Sequence, residues 1–282
     1  MNYINFNGTL VTGDTPIVEA GNRGLRYGDG LFETIKYKNN EFQLLHAHLD
    51  RLWKGLNLLN FTLPKLLDKT YLEEELLKLV KKNKHTHARV RLTIIRSNGG
   101  LYDAVDMHPV FIIESWQLQE GFGKINSNGL QLCIYKNALK SCDSFSNIKH
   151  NNFLPYVMGA LFAKKSKCND AIILNQHGRI CDTTIANIFI IKNDIIYTPA
   201  LNEGCIKGTI RHLLLENLMK ARFEIKETAI SQTQLLEADE IFVSNAMTPI
   251  KWVAGIDGYS FSNTKTLDIS HKMHQTFPGI FC

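Results

Sequence analysis

The stretch whose reading decides the fold runs from 147 to 211. It opens Asn147-Ile148-Lys149-His150-Asn151-Asn152-Phe153-Leu154-Pro155 and continues Gly178-Arg179-Ile180-Cys181-Asp182-Thr183-Thr184-Ile185-Ala186-Asn187-Ile188-Phe189. It closes with Tyr197-Thr198-Pro199 and Lys207-Gly208-Thr209-Ile210-Arg211. As chemistry this is a lysine, then an acid leading into a hydrophobic strand, then a glycine-led helix start. A lysine amine can condense with a carbonyl. An acid entering a buried strand can hold a proton on a basic nitrogen. The unpaired N–H groups of a helix N-terminus favour an anion. Taken singly these are weak signals, since most lysines are solvated and a Gly-Thr usually only starts a helix. Their order within one stretch is what carries meaning.

In content and order the stretch resembles the class-IV aminotransferase family. That pattern is roughly K-x-x-N-x-L, then G-x-[VI]-x-E-x-x-x-x-N-[IL]-F, then Y-T-P, then G-[IT]-x-R. The family includes branched-chain aminotransferases, D-amino-acid aminotransferases and aminodeoxychorismate lyases. The resemblance covers nearly the whole chain and implies an α/β, two-domain, fold type IV enzyme using pyridoxal 5′-phosphate. It implies a cofactor in the cleft between the domains and a second subunit completing that cleft, so a homodimer is expected.

Composition agrees with a folded enzyme. The chain has 282 residues, 44% of them apolar and 21% charged, with 7 Pro, which is a globular composition. The net charge of +5 is dispersed, without a basic arm or stripe, so no nucleic-acid partner is expected. A mildly basic site suits an anionic cofactor and an amino-bearing carboxylate substrate. The six cysteines, Cys133, Cys142, Cys168, Cys181, Cys205 and Cys282, lack C-x-x-C spacing and read as free thiols in a reducing compartment. Neither a signal peptide nor a membrane-spanning apolar run is evident, and the expectation is a cytoplasmic protein without a membrane partner.

Along the chain, 3–6, Asn7-Gly8 and 9–11 read as a hairpin with a type I′ turn. Residues 22–30 form a glycine-punctuated loop feeding a strand over 31–37. There Phe32, Thr34 and Lys36 share one face and Leu31, Glu33 and Ile35 the other. A second strand is expected over 42–45. Helical spacing over 46–60 turns Leu49, Leu52, Trp53, Leu56 and Leu59 inward, with Arg51 at the edge of the stripe. A second helix over 71–83 has Thr70 and Glu73 as its capping box. Strands over 88–96 and 109–116 complete a small two-layer α/β domain over 1–117, followed by a linker over 118–128. The larger domain, 129–282, is strand-rich and carries Lys149. Its expected elements are a strand from 130, helices over 156–167 and 210–222, and strands over 171–174, 179–181, 187–191, 195–197 and 240–244. His46 with His48, and His85 with His87, invite a metal reading, but no acid or Cys sits at a useful spacing and no metal is expected. Neither a P-loop nor G-x-G-x-x-G occurs.

The resemblance gives these residues roles. Lys149 matches the Schiff-base lysine. Arg51, in His48-Leu49-Asp50-Arg51-Leu52, matches an arginine that grips the cofactor phosphate, for which a guanidinium fork is well shaped. Asp182 stands where the family usually has the glutamate that keeps the pyridine nitrogen protonated, and it is one methylene shorter. Thr209 and Ile210 would offer backbone N–H groups to the phosphate, and the Thr248 hydroxyl, before Pro249, would reach it too.

The reaction turns on small strings. Phe32-Glu33-Thr34, Arg96-Ser97-Asn98-Gly99-Gly100-Leu101-Tyr102, Lys149-His150 and Asn245-Ala246 look like aminodeoxychorismate lyases. They imply a substrate pocket of Phe32, Thr34, Arg96, Asn245 and Ala246. The G-T-A-A-E string of branched-chain enzymes is absent, and D-amino-acid enzymes carry tyrosine at the Phe32 position. Thr248, by contrast, resembles the aminotransferases. The expectation is the lyase, with transamination of a branched-chain or D-amino acid as the alternative.

Overall fold

A computed structural model describes residues 2–119 and 121–281; Cys282 and position 120 of the expected linker lie outside the described residues. The chain divides into two compact units, Met1–Glu120 with Ile148–Asn152, and Gly121–Asn147 with Phe153–Cys282.

In the first unit, β1 (Tyr3–Phe6) and β2 (Thr9–Thr12) meet at Asn7 and Gly8, whose φ values of 48° and 86° suit the type I′ turn. The expected plain loop over 22–30 contains a short helix, α1 (Arg23–Tyr27), because the Asn22 side chain caps it and Gly28 ends it at φ 64°. Next come β3 (Gly30–Lys38) and β4 (Glu41–Phe42). The second of these is shorter than expected, since Leu44 turns to φ 54° and α2 (Leu45–Leu58) begins at once. α3 (Lys69–Lys82) is capped by Asp68, which accepts from Tyr71 N, and not by Thr70 and Glu73. β5 (His87–Arg96) and β6 (Pro109–Gln117) complete a six-stranded antiparallel sheet ordered β2-β1-β6-β5-β3-β4. The alternation of β5 buries Val90, Leu92 and Ile94, and Leu49, Leu52 and Leu56 of α2 and Leu72, Leu76 and Leu79 of α3 close over that face. Each such side chain contributes about 1.5–3 kcal/mol.

The sequence reading puts Lys149 on 129–282, but Ile148–Asn152 groups with the first unit. The cause is backbone pairing. Phe32 N donates to Lys149 O at 2.9 Å, Asn151 N donates to Gly30 O at 2.9 Å, and Leu31 and His150 form an antiparallel bridge. Ile148 is buried in the first unit's core. Gly30 lets the strands close up, since a Cβ there would lie 2.1 Å from Ile94 O.

The second unit runs β7 (Leu130–Lys140), α4 (Leu154–Lys165), β8 (Asp170–Asn175), β9 (Ile180–Thr183), β10 (Asn187–Lys192) and β11 (Ile195–Pro199). It continues α5 (Thr209–Lys220), β12 (Ile225–Thr228), α6 (Gln232–Leu236), β13 (Glu240–Ser244), β14 (Lys251–Ile256), β15 (Tyr259–Ser260) and α7 (Thr264–Thr276). Its sheet is ordered β12-β11-β10-β13-β14-β7-β8-β9, with β15 on β14. β7 pairs in parallel with β8 and β14, as β11 does with β12, and the remaining pairs are antiparallel. Ile172, Ile188, Ile241 and Val253 fill the core. Among the described residues no helix is long and apolar enough to cross a membrane.

Candidate active site

The first unit holds Lys149, Phe32, Thr34, Arg51 and Arg96. Strand alternation turns Glu33 inward with Leu31 and Ile35, leaving a carboxylate 1% exposed in an apolar core. Such a charge needs partners, and α2 supplies two from one face, His48 and Arg51, three residues apart. Arg51 donates from Nε to Glu33 Oε1 at 2.8 Å and from Nη2 to Oε2 at 2.5 Å. His48 Nδ1 lies 2.6 Å from Oε2. Burial alone would raise the Glu33 carboxyl, but the Arg51 charge and then His48 outweigh it and hold it at about 2. For His48, burial pushes its value down while Glu33 pulls it up. The net direction is downward.

Phe32 stands beside Lys149. Its ring has the Arg91 guanidinium 3.8 Å from the centroid and the Lys149 ammonium at 4.4 Å. Thr34 is half-buried and opposite Arg91 in the β3–β5 register. Arg96 is engaged within the unit: Nε reaches Asp29 Oδ2 at 3.0 Å, Nη2 the Leu59 carbonyl at 2.7 Å and Nη1 Met107 Sδ at 3.5 Å, while its guanidinium lies over Phe61. As arranged, it braces the Asp29 loop.

The second unit holds Asp182, Thr209, Ile210, Asn245, Ala246 and Thr248. Asp182, 2% exposed on β9, is closely held. Its Oδ1 accepts from Asn187 Nδ2 at 2.9 Å, and its Oδ2 accepts from Tyr156 Oη at 2.8 Å, Ile206 N at 2.9 Å and Lys140 Nζ at 3.3 Å. Burial, then the Asp182 charge, raise Tyr156 well above its ordinary value, so the phenol keeps its proton and donates it.

Asn187 links this acid to the start of α5. Its Nδ2 also reaches Ile206 O at 2.8 Å, and a Cβ on Gly208 would lie 2.0 Å from its Oδ1. Gly208 is the N-cap of α5 and brings no side-chain cap, which leaves Thr209 and Ile210 in the first turn of a twelve-residue helix. Ser244 lies opposite Asn187 in the β10–β13 register, and its buried Oγ has no hydrogen-bond partner among the described residues. A helix start with glycine at its N-cap, a glycine where a methyl will not fit, and an orphaned Ser244 hydroxyl fit the phosphate of pyridoxal phosphate, and a buried carboxylate nearby fits its ring nitrogen.

After β13, Asn245 Oδ1 accepts from Met247 N at 2.9 Å, Thr248 N at 2.7 Å and Thr248 Oγ1 at 3.1 Å. The Thr248 hydroxyl proton therefore closes this turn, with Ala246 half-buried within it. Sequence reasoning missed Lys140, Tyr156 and Ile206 and gave Asn187 no role; only Asn187, inside a quoted motif, carried a signal. Among the described residues no group of three or more His, Cys, Asp or Glu is placed to hold a metal.

A family model described as amino-transferase class IV matches residues 30–256. The aminodeoxychorismate lyase of Vibrio harveyi is 28% identical over 241 residues, covering 85% of this chain and 87% of that protein. D-alanine aminotransferase of Listeria monocytogenes serotype 1/2a is 25% identical over 276 residues, covering 96% and 93%. The crystal structure of branched-chain aminotransferase from Thermoproteus uzoniensis with norvaline matches at TM-score 0.88 and 22% identity, over 99% of this chain and 95% of that one. At that identity the match establishes the shared α/β fold.

Proposed function

The chain belongs to the amino-transferase class IV family, and from that premise we propose that it is a 4-amino-4-deoxychorismate lyase, forming 4-aminobenzoate and pyruvate. It is an enzyme, and its cofactor is pyridoxal 5′-phosphate. When bound, pyridoxal phosphate supplies a ring that draws electrons from the substrate. Asp182 holds the proton at the ring nitrogen. The first turn of α5 at Thr209 and Ile210 would hold the phosphate, with Arg51 and, once its hydroxyl turns away from Asn245 Oδ1, Thr248. Lys149 carries the cofactor on its amine. The Lys149 amine would take the proton from the carbon bearing the substrate's amino group and return one to the departing three-carbon fragment.

The observation that carries the lyase reading is Phe32. It presents a plain phenyl ring beside Lys149 and stacked with Arg91, at the position where D-amino-acid enzymes have tyrosine. A flat ring next to a guanidinium suits a cyclic, unsaturated carboxylate. Thr34, Asn245 and Ala246 are the other proposed substrate residues, and Arg96 braces the Asp29 loop of the first unit. Thr248 before Pro249 favours the second reading, transamination of an amino acid. We also read the protein as a cytoplasmic homodimer. Its five described cysteines are free thiols, which supports a reducing compartment.

The test gives the holoenzyme aminodeoxychorismate and, separately, amino acids with 2-oxoglutarate. Release of 4-aminobenzoate and pyruvate supports the lyase. Amino transfer without either product moves the assignment to the aminotransferase.

A further inference from the structure

We propose that Lys140 is a positioning residue for Asp182: with Tyr156 it pins the carboxylate through Oδ2, offsets its charge, and leaves Oδ1 as the oxygen that meets the cofactor's ring nitrogen. This rests on the cofactor reading above.

The argument begins with acceptor capacity. A carboxylate offers about four lone-pair directions, two on each oxygen. Oδ2 already takes three nitrogen or oxygen donors, Tyr156 Oη at 2.8 Å, Ile206 N at 2.9 Å and Lys140 Nζ at 3.3 Å, and the Cys181 thiol at 3.8 Å besides. Oδ1 takes one nitrogen donor among the described residues, Asn187 Nδ2 at 2.9 Å. The remaining direction is on Oδ1. Lys140 also donates to Tyr156 Oη at 2.7 Å, so ammonium, phenol and carboxylate form a closed triangle. All three are buried, at 7%, 8% and 2% exposure, where an unpaired charge is costly.

The other titratable groups facing Asp182 are the thiols of Cys181 and Cys205. Burial, then the Asp182 charge, push both upward, Cys205 to about 12, so both stay neutral. Among the described residues, the cation hydrogen-bonded to the acid is Lys140. A protonated ring nitrogen meets a carboxylate already shared with an ammonium, and binds its proton less tightly than it would beside a lone acid. Removing the Tyr156 hydroxyl has the same direction and a smaller size, because a neutral donor leaves.

The experiment reconstitutes the holoenzyme with pyridoxal phosphate carrying nitrogen-15 in the ring and follows that resonance through pH by NMR. Lys140→Met should raise the midpoint of ring protonation by about one pH unit or more, tenfold in proton affinity. Lys140→Arg should keep the wild-type midpoint. Tyr156→Phe, which preserves the ring volume, should raise it by less, and it decides the matter if Lys140→Met does not fold. Midpoints unmoved in both variants overturn the proposal. So does a wild-type ring protonated across the whole range, since Lys140 then weakens nothing. A folded wild type that binds no pyridoxal phosphate overturns the cofactor reading itself, and this proposal with it.

Discussion

The Arg51 guanidinium holds the Glu33 carboxylate in two parallel hydrogen bonds, Nε to Oε1 at 2.8 Å and Nη2 to Oε2 at 2.5 Å. The arginine that the resemblance assigns to the phosphate is thus also half of a buried ion pair. Its loss should have two separable effects. Arg51→Ala strands a buried carboxylate and should destabilise the fold by about 3–5 kcal/mol. It should also weaken cofactor binding about ten- to a hundredfold, the worth of one charge-assisted bond. Adding Glu33→Gln should restore much of the stability and none of the affinity. Denaturation of the apo-protein and cofactor titration read the two separately. Unchanged affinity would leave Arg51 with a structural role alone.

The same pair sets an acid limit. Glu33 in the folded chain is held at about 2, below its ordinary 4.5. Between those values the unfolded chain binds the extra proton, so acid favours unfolding. The contribution of Glu33 is fully present above about 4.5 and is lost as pH falls through about 2. Urea melts across this window should show wild type converging on Glu33→Gln, because the other carboxylates are common to both proteins. Parallel curves would show that Glu33 is not held low.

Lys149 should be the residue bound to the cofactor. Borohydride reduction of the holoenzyme followed by peptide mapping should recover the pyridoxyl group on Lys149. Recovery on Lys140, the buried lysine of the second unit, would exchange the roles of the two amines.

Asp182→Asn should retain the cofactor through Lys149 and the phosphate contacts but slow proton transfer by orders of magnitude, because an amide brings no charge to the ring nitrogen. It also leaves the buried Lys140 unpaired and should lower the melting temperature. Asp182→Glu should keep activity. Single-turnover decay of the cofactor absorption band on adding substrate is the measurement. A wild-type rate in the Asn variant would make Asp182 a structural residue.

What could be read from the sequence was local. The Asn7-Gly8 turn, the alternation of β5 and the apolar stripe of α2 each depend on neighbours within a few residues. The inward direction of Glu33 follows from the alternation of β3, but its partners come from another element. The burial of Lys140 was not legible, because β7, α4 and β9 converge on it and its own strand gives no hint. The pairing of residues 148–152 with β3 is likewise nonlocal, and no residue near Lys149 in the chain announces it. α7 went unnoticed because its buried Ile269 and Met273 are spread among polar residues.

Asn187 reaches the Asp182 carboxylate and the Ile206 carbonyl with one amide, against a glycine with no space for a methyl. That amide works as a gauge. It fixes the span between the acid and the start of α5, so a ligand gripped at both ends must have a matching length. A molecule shorter or longer than that span engages one end and loses the other. On the proposed cofactor reading, discrimination by length would then be built into the second unit, and widening the gauge at Asn187 would relax it.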